Sequence, residues 1–252
     1  MKKLIIATIV LCSAFAAKAQ VTSGTVSYKE TIKLDIALEG EMAQFAEMLP
    51  KEHSFKKIMY FSPEASLYVV DKKATEDKVK TEGNGIAAMI SANVPEEKYY
   101  RDLKNNTSTT QRDFMSRKFL VTSDAKSKQS WKMTGKQKQI LGYPCQQAIM
   151  QKDSQQIVAW FTPAIPVATG PGELSGLPGL ILEATIDKMY IIEAVAVTPG
   201  AVDKKLFVKP TEGKKMTNEQ FEAMMKEKTK EMEAQFGGGG NGNVIIRVNE
   251  RH

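Results

Sequence analysis

Apolar and polar positions alternate along most of this chain. Between Val21 and Ile36, the residues Val26, Tyr28, Ile32, Leu34 and Ile36 share one parity, while Ser27, Lys29 and Lys33 share the other. A period of two predicts a half-buried strand. Ile58–Phe61 and Ser66–Val70 flank Ser62-Pro63-Glu64-Ala65 and predict a hairpin. Further strands are predicted over Lys98–Leu103, Thr107–Phe114, Arg117–Ser123, Trp131–Thr134, Gln137–Ile140, Cys145–Gln151, Gln156–Phe161, Leu180–Ile186 and Met189–Val197. Asn105-Asn106, Asp153-Ser154 and Asp187-Lys188 punctuate the series as turns. Connections this short favour antiparallel neighbours. The expected fold class is α+β, mainly β: one large, curved antiparallel meander. Its apolar face needs a cover.

Helical spacing appears in three places. Met42, Phe45, Met48 and Leu49 predict a short helix before Pro50. Asp71–Asn93 mixes a charge run with a small apolar patch and reads as a partly helical excursion. These two segments are the expected covering elements. Near the C-terminus, Thr217 and Gln220 have capping-box spacing, and Phe221, Met225, Met232 and Phe236 trace one stripe of an amphipathic helix. Gly237–Gly240 forms a joint, and Val244–Val248 can add an edge strand or hang free. The expected organisation is a signal over 1–19, a β-rich domain over 20–210, and a charged helix with a glycine joint and tail over 211–252.

The first residues have the pattern of an export signal. Lys2 and Lys3 precede the apolar Leu4–Ala17, and Ala17-Lys18-Ala19 fits a cleavage site after Ala19. Cys12 follows the bulky Leu11, unlike a lipid-anchor signal. The expected location is outside the cytoplasm, most simply the periplasm, with no transmembrane segment in the mature chain. The signal carries three lysines and no acid, so cleavage lowers the net charge from +6 to +3. Nearly balanced charge argues against a nucleic-acid partner.

Candidate chemistry is sparse. Cys145 is the one cysteine beyond the signal, which excludes an internal disulfide. A nucleophilic thiol needs a base, and only His53 and His252 exist. No ligand spacing suggests a metal, and the methionines Met216, Met224, Met225 and Met232 read as packing. Glu183 and Glu193 fall on neighbouring predicted strands, an ordinary arrangement. No catalytic residue, cofactor or enzymatic activity is expected.

The most distinctive passage is Gly170-Pro171-Gly172-Glu173-Leu174-Ser175-Gly176-Leu177-Pro178-Gly179-Leu180-Ile181-Leu182. Its glycines and prolines force repeated turns before an apolar strand begins. It resembles the signature of the GLPGLI family, and the resemblance extends from Tyr60 to about Val197. It takes in Ser66-Leu67-Tyr68, Trp131, Gly142-Tyr143-Pro144-Cys145-Gln146-Gln147-Ala148, and Trp160-Phe161-Thr162-Pro163 ahead of Ile165-Pro166. That family implies an exported protein without an assigned activity. The strand series also resembles the half-barrels of periplasmic lipoprotein carriers. Two functions follow as expectations. One is an apolar, lipid-like ligand on the concave sheet, with Trp160, Leu177, Pro178 and Gly179 as candidate contacts. The other is an envelope protein partner docked through Phe221, Met225, Met232 and Phe236.

Overall fold

A computed structural model describes residues 21–33, 35–38, 51–72, 96–124, 129–152, 154–236 and 244–247. The expected helix near Phe45, the excursion over Asp71–Asn93 and the signal lie almost wholly outside these residues. In chain order the strands are β1 (Gly24–Lys33), β2 (Asp35–Leu38), β3 (Glu52–Phe61), β4 (Ala65–Val70), β5 (Lys98–Asp102), β6 (Thr107–Phe114) and β7 (Arg117–Ser123). Then come β8 (Lys132–Ile140), β9 (Tyr143–Lys152), β10 (Gln155–Thr162), β11 (Leu180–Ile186), β12 (Tyr190–Pro199) and β13 (Lys214–Thr217). Helix α1 (Asn218–Phe236) and β14 (Val244–Arg247) complete the described elements.

The protein is mainly β, as the alternation predicts. Among the described residues twelve strands form one open sheet in the order β13-β7-β6-β5-β4-β3-β1-β12-β11-β10-β9-β8. The meander is broken in one informative way. β1 sits in the middle and pairs antiparallel with both β3 and β12. Strands β3 to β7 step away on one side of it. The chain then crosses to the far edge, and β8 to β12 step back. Two antiparallel wings thus share a central strand. Both edges of β1 are thereby paired along nearly its whole length, and its buried and half-buried positions alternate between the two faces.

Local chemistry fixes the turns. Ser62 Oγ accepts from the backbone N–H groups of Glu64 and Ala65, closing the β3–β4 hairpin. Asp187 and Lys188 have φ of 48° and 61°, the backbone of a tight two-residue hairpin loop. The stretches Trp131–Thr134 and Gln137–Ile140, read from sequence as two strands, largely form the single strand β8. Its pairing with β9 shifts register between Met133 and Gln137, around Gly135 at φ 79°. A bulge, not a turn, separates the two stretches.

The sheet is strongly curved. β7 and β9 stand nine steps apart in the strand order, about 43 Å if the sheet were flat. Yet α1 packs Phe221 on Phe119 of β7, with ring centroids 5.6 Å apart, while Glu222 of the same helix meets Lys152 of β9 at 3.0 Å. Only a curled sheet brings both wings to one helix. Thr217 and Gln220 form the expected capping box, Thr217 N to Gln220 Oε1 at 3.0 Å and Gln220 N to Thr217 Oγ1 at 3.3 Å. β13 pairs parallel with β7, so residues beyond 210 continue the same sheet. β14 pairs antiparallel with β2 as a separate two-stranded ladder.

Candidate functional site

The concave face is covered, among the described residues, by the 163–179 loop between β10 and β11. Its burial alternates: Ile165, Val167, Leu174 and Leu177 are nearly or fully buried, whereas Pro163, Pro166 and Pro178 are exposed. The loop also satisfies its own backbone. Leu180 N donates to Ile165 O at 3.0 Å and Ile181 N to Thr169 O at 3.0 Å. Two glycines allow the close approach. A Cβ on Gly179 would lie 2.2 Å from Thr162 O, and one on Gly170 would lie 2.8 Å from Ile181 Cβ.

Polar side chains from both wings hold this loop. On one wing, Ser66 Oγ of β4 lies 2.7 Å from Thr169 Oγ1. Arg101 Nη2 of β5 donates to Glu173 O at 2.9 Å, and Arg112 Nη2 of β6 donates to the Glu173 carboxylate at 2.5 Å. On the other, just ahead of β8, Gln129 Nε2 donates to Glu173 O and Trp131 Nε1 to Ser175 O. Tyr28 of the central strand donates its hydroxyl to Ile181 O at 2.6 Å. Burial raises the Tyr28 phenol well above its ordinary pKa, so it remains a donor.

Between this loop and strands β4 to β6 lies a small cleft. It is lined by Ser66, Tyr68, Tyr99, Tyr100, Arg101, Ser108 and Thr110, with Gly170, Gly172 and Glu173 as the roof. Its enclosed volume is about 10 Å³, room for one water-sized group. Desolvation lowers the Arg101 pKa, and the nearby Glu173 opposes that shift.

Beneath the cleft runs a buried ionic network. Glu30 accepts from Tyr68 Oη at 2.6 Å and from Tyr190 Oη, and Lys57 Nζ lies 3.1 Å from its carboxylate. Lys57 also lies 3.5 Å from Glu97, which accepts from Tyr99 Oη at 2.6 Å. The rings of Phe55, Tyr68 and Tyr99 surround the Lys57 ammonium at 5.3–5.7 Å. Burial, and then the Glu30 charge, raise the Tyr68 phenol well above its usual pKa. Glu30 and Lys57 are each 1% exposed, so the pair depends on these hydrogen bonds for compensation.

The candidate contacts Trp160, Leu177, Pro178 and Gly179 are not brought together. Leu177 is inside the core, Pro178 is exposed, and Gly179 abuts the Thr162 backbone. Trp160 lies on the opposite face of β10 from Ile157 and Ala159. There the Lys138 ammonium sits 4.4 Å from its ring centroid and also grips Glu183. In α1, Phe221 is 3% exposed and Met225 packs beside it, so both contribute to the protein's own packing. The Met232 and Phe236 side chains lie outside the described residues. Cys145 is buried and pushed up to about 11 by desolvation, which keeps it a thiol. His53 is on β3, five strand steps from β9, and His252 lies outside the described residues. Among the described residues no cluster of His, Cys, Asp and Glu is arranged to hold a metal ion, and no helix is long and apolar enough to cross a membrane.

Period-two reading did carry a signal for the network. Glu30 shares parity with Val26 and Tyr28, and Lys57 shares parity with Phe55, Met59 and Phe61. A charge in a buried phase demands a partner. Arg101, Arg112 and Glu173 carried none, because they meet only through the loop.

No curated protein matches the chain. Among solved structures, one crystal form of PNGF-II is 18% identical, with a TM-score of 0.53 over 81% of this chain and 33% of that one. A second form is 20% identical, with a TM-score of 0.50 over 80% and 33%. The chain therefore corresponds to about a third of those proteins, and at this identity the likeness concerns the fold. A family model described as "N-glycanase peptide, N-terminal domain" matches residues 54–225, about two-thirds of the chain. By that match the chain belongs to the family of N-glycanase N-terminal domains.

Proposed function

We propose that this chain is an exported, non-catalytic recognition domain that grips the polar end of a glycan-bearing ligand at the cleft between β4–β6 and the 170–173 turn. The lining of the cleft carries the reading. The buried Tyr68 and Tyr99 back a lining of serine and threonine hydroxyls and a guanidinium, and fixed polar groups of this kind orient a polyhydroxylated ligand. The family description names an N-glycanase, and a domain at the front of such an enzyme has substrate capture as a natural task. The GLPGLI resemblance supports the same site, since its signature is the loop that roofs the cleft. The basic and apolar residues up to Ala19 support export.

Size argues against a lipid-like ligand within this cleft. Pockets that enclose a small ligand run to roughly 300–1,000 Å³, and the cleft has about 10 Å³. The apolar side chains of the loop already lie on the concave face. Docking through α1 is also less favoured, because Phe221 is covered by β7.

A titration of the isotopically labelled full chain, followed by amide NMR shifts, tests the reading. The ligands are an N-glycosylated peptide, the same peptide without its glycan, and dodecanoate. The expected result is that only the glycopeptide shifts residues 66–68, 99–101, 108–110 and 170–173. Shifts caused by dodecanoate alone would favour the apolar reading, and silence with the glycopeptide would overturn the proposal.

A further inference from the structure

The cleft has a floor whose chemistry is more specific than its shape. Ser66 of β4 stands directly opposite Arg101 of β5, which stands directly opposite Ser108 of β6. Directly paired residues share a face. The three side chains therefore form one row, hydroxyl, guanidinium, hydroxyl, running across three strands under the 170–173 turn. Thr169 extends the row from the loop through its contact with Ser66.

Glu173 compensates the Arg101 charge only in part, since it opposes the lowering by desolvation without reversing it. A guanidinium presents five N–H donors. Among the described residues Arg101 makes one hydrogen bond, and its acceptor is the neutral Glu173 carbonyl. The Glu173 carboxylate is instead bound by Arg112. The Ser108 hydroxyl has no hydrogen-bond partner among the described residues. The row thus holds a positive fork flanked by hydroxyl donors, in an opening with room for one small group.

We infer that this row binds a carboxylate, and that the ligand of the cleft is an acidic saccharide. A carboxylate matches the planar fork in two parallel hydrogen bonds, and hydroxyls on either side can donate to the same oxygens. The opening admits one water-sized group, so a single carboxylate oxygen enters it to meet the row while the sugar ring remains at the cleft mouth. The Gly172 backbone, at φ 60° with open space around its α-carbon, leaves that mouth clear. This inference rests on the recognition reading above, which it narrows from glycans in general to those carrying a carboxylate.

The test is a set of NMR titrations of the full chain with D-glucuronate, D-glucose and acetate. Two variants accompany it. Ser108→Ala removes one donor at a half-buried position without touching the loop. Arg101→Lys keeps the charge but loses the fork. Glucuronate is expected to shift Ser66, Arg101, Ser108 and Gly172 at least ten-fold more tightly than glucose. Ser108→Ala should weaken glucuronate several-fold, and Arg101→Lys at least ten-fold, with glucose unaffected in both. Equal binding of glucuronate and glucose, or undiminished binding in both variants, overturns the inference and leaves the glycan reading standing. Acetate binding as tightly as glucuronate supports the carboxylate site but sinks the saccharide. No response to any of the three probes overturns the inference outright, and the glycopeptide titration then decides the broader reading on its own.

Discussion

Replacing Gly179 by alanine is the sharpest available test of the claim that the 163–179 loop is part of the core. The new Cβ would lie 2.2 Å from Thr162 O, 2.7 Å from Thr162 C and 3.1 Å from Pro163 Cα. All three are backbone atoms, so no rotamer change relieves the clash. Restoring an ordinary contact requires a displacement of about 1 Å, and overpacking of this kind costs roughly 1–3 kcal/mol. The shift also strains two backbone hydrogen bonds, Gly179 N to Leu177 O at 2.8 Å and Leu180 N to Ile165 O at 3.0 Å. At about 1 kcal/mol for each bond, the total comes to about 3–5 kcal/mol. Gly172→Ala is the control within the same loop. Gly172 has φ of 60° and nothing within 4 Å of its Cβ position, so only a left-handed backbone penalty of roughly 1–2 kcal/mol applies. Urea unfolding followed by tryptophan fluorescence suits the comparison, because Trp131 bonds directly to the loop at Ser175. At about 2–4 °C per kcal/mol for a domain of this size, Gly179→Ala should lower Tm by about 6–20 °C and Gly172→Ala by about 2–8 °C, with Gly179→Ala the larger in the same protein. If the two variants unfold within 1 kcal/mol of each other, the loop is not packed on Thr162 and the reasoning fails.

The buried ionic network predicts that Lys57→Met costs about 3–5 kcal/mol, because it strands Glu30 in the interior. Combining it with Glu30→Gln should cost less than the sum of the single changes, measurable as coupling in a double-mutant cycle. Phe221→Ala should destabilise by about 3 kcal/mol by emptying the contact with Phe119 and Arg112; a wild-type urea midpoint would mean α1 is not held by the sheet. Cys145, pushed up to about 11, should not react with a disulfide reagent at pH 8 in the native protein and should react fully in denaturant. The buried phenols of Tyr28 and Tyr68 have raised pKa values, so their contribution to stability is complete below pH 10 and is lost as pH rises beyond it. The urea midpoint should therefore fall as pH rises from about 10 to 12, and a flat midpoint over that range would contradict this.

Strand identity was legible because a half-buried strand has to alternate, and Val26, Tyr28 and their successors do. The α1 start was equally plain, since Thr217 and Gln220 satisfy each other at fixed spacing. The central position of β1 was not legible. Alternation says that a strand has a buried face, not how many neighbours its two edges find. The β8 bulge was not legible for a related reason, since Gly135 between two short strand-like stretches looks the same as a turn until the β9 register is known. The candidate contacts around Leu177 were drawn from conspicuous residues, and conspicuous residues in a tight loop turn out to fill it. The Ser66–Arg101–Ser108 row was invisible because no motif joins residues from three strands; only their pairing does.

The structural and functional readings of the glycine-rich passage need not compete. Its positions divide by direction. Gly170 and Gly179 permit close contact with other parts of the backbone and with Ile181. Leu174, Leu177 and Leu180 to Leu182 close the core. Thr169, the Glu173 carbonyl and the Glu173 carboxylate meet Ser66, Arg101 and Arg112 in turn. A loop clamped by the core on one side offers its opposite side as a rigid roof, and rigidity is what a small polar cleft needs to discriminate between ligands. The division has a consequence for sequence change. Substitutions at Gly170, Leu177 or Gly179 should act through stability, whereas those at Gly172, or at Ser108 beneath it, can alter the cleft while the fold stays intact. The passage therefore provides a fixed frame, and the few positions facing the cleft are where specificity can vary.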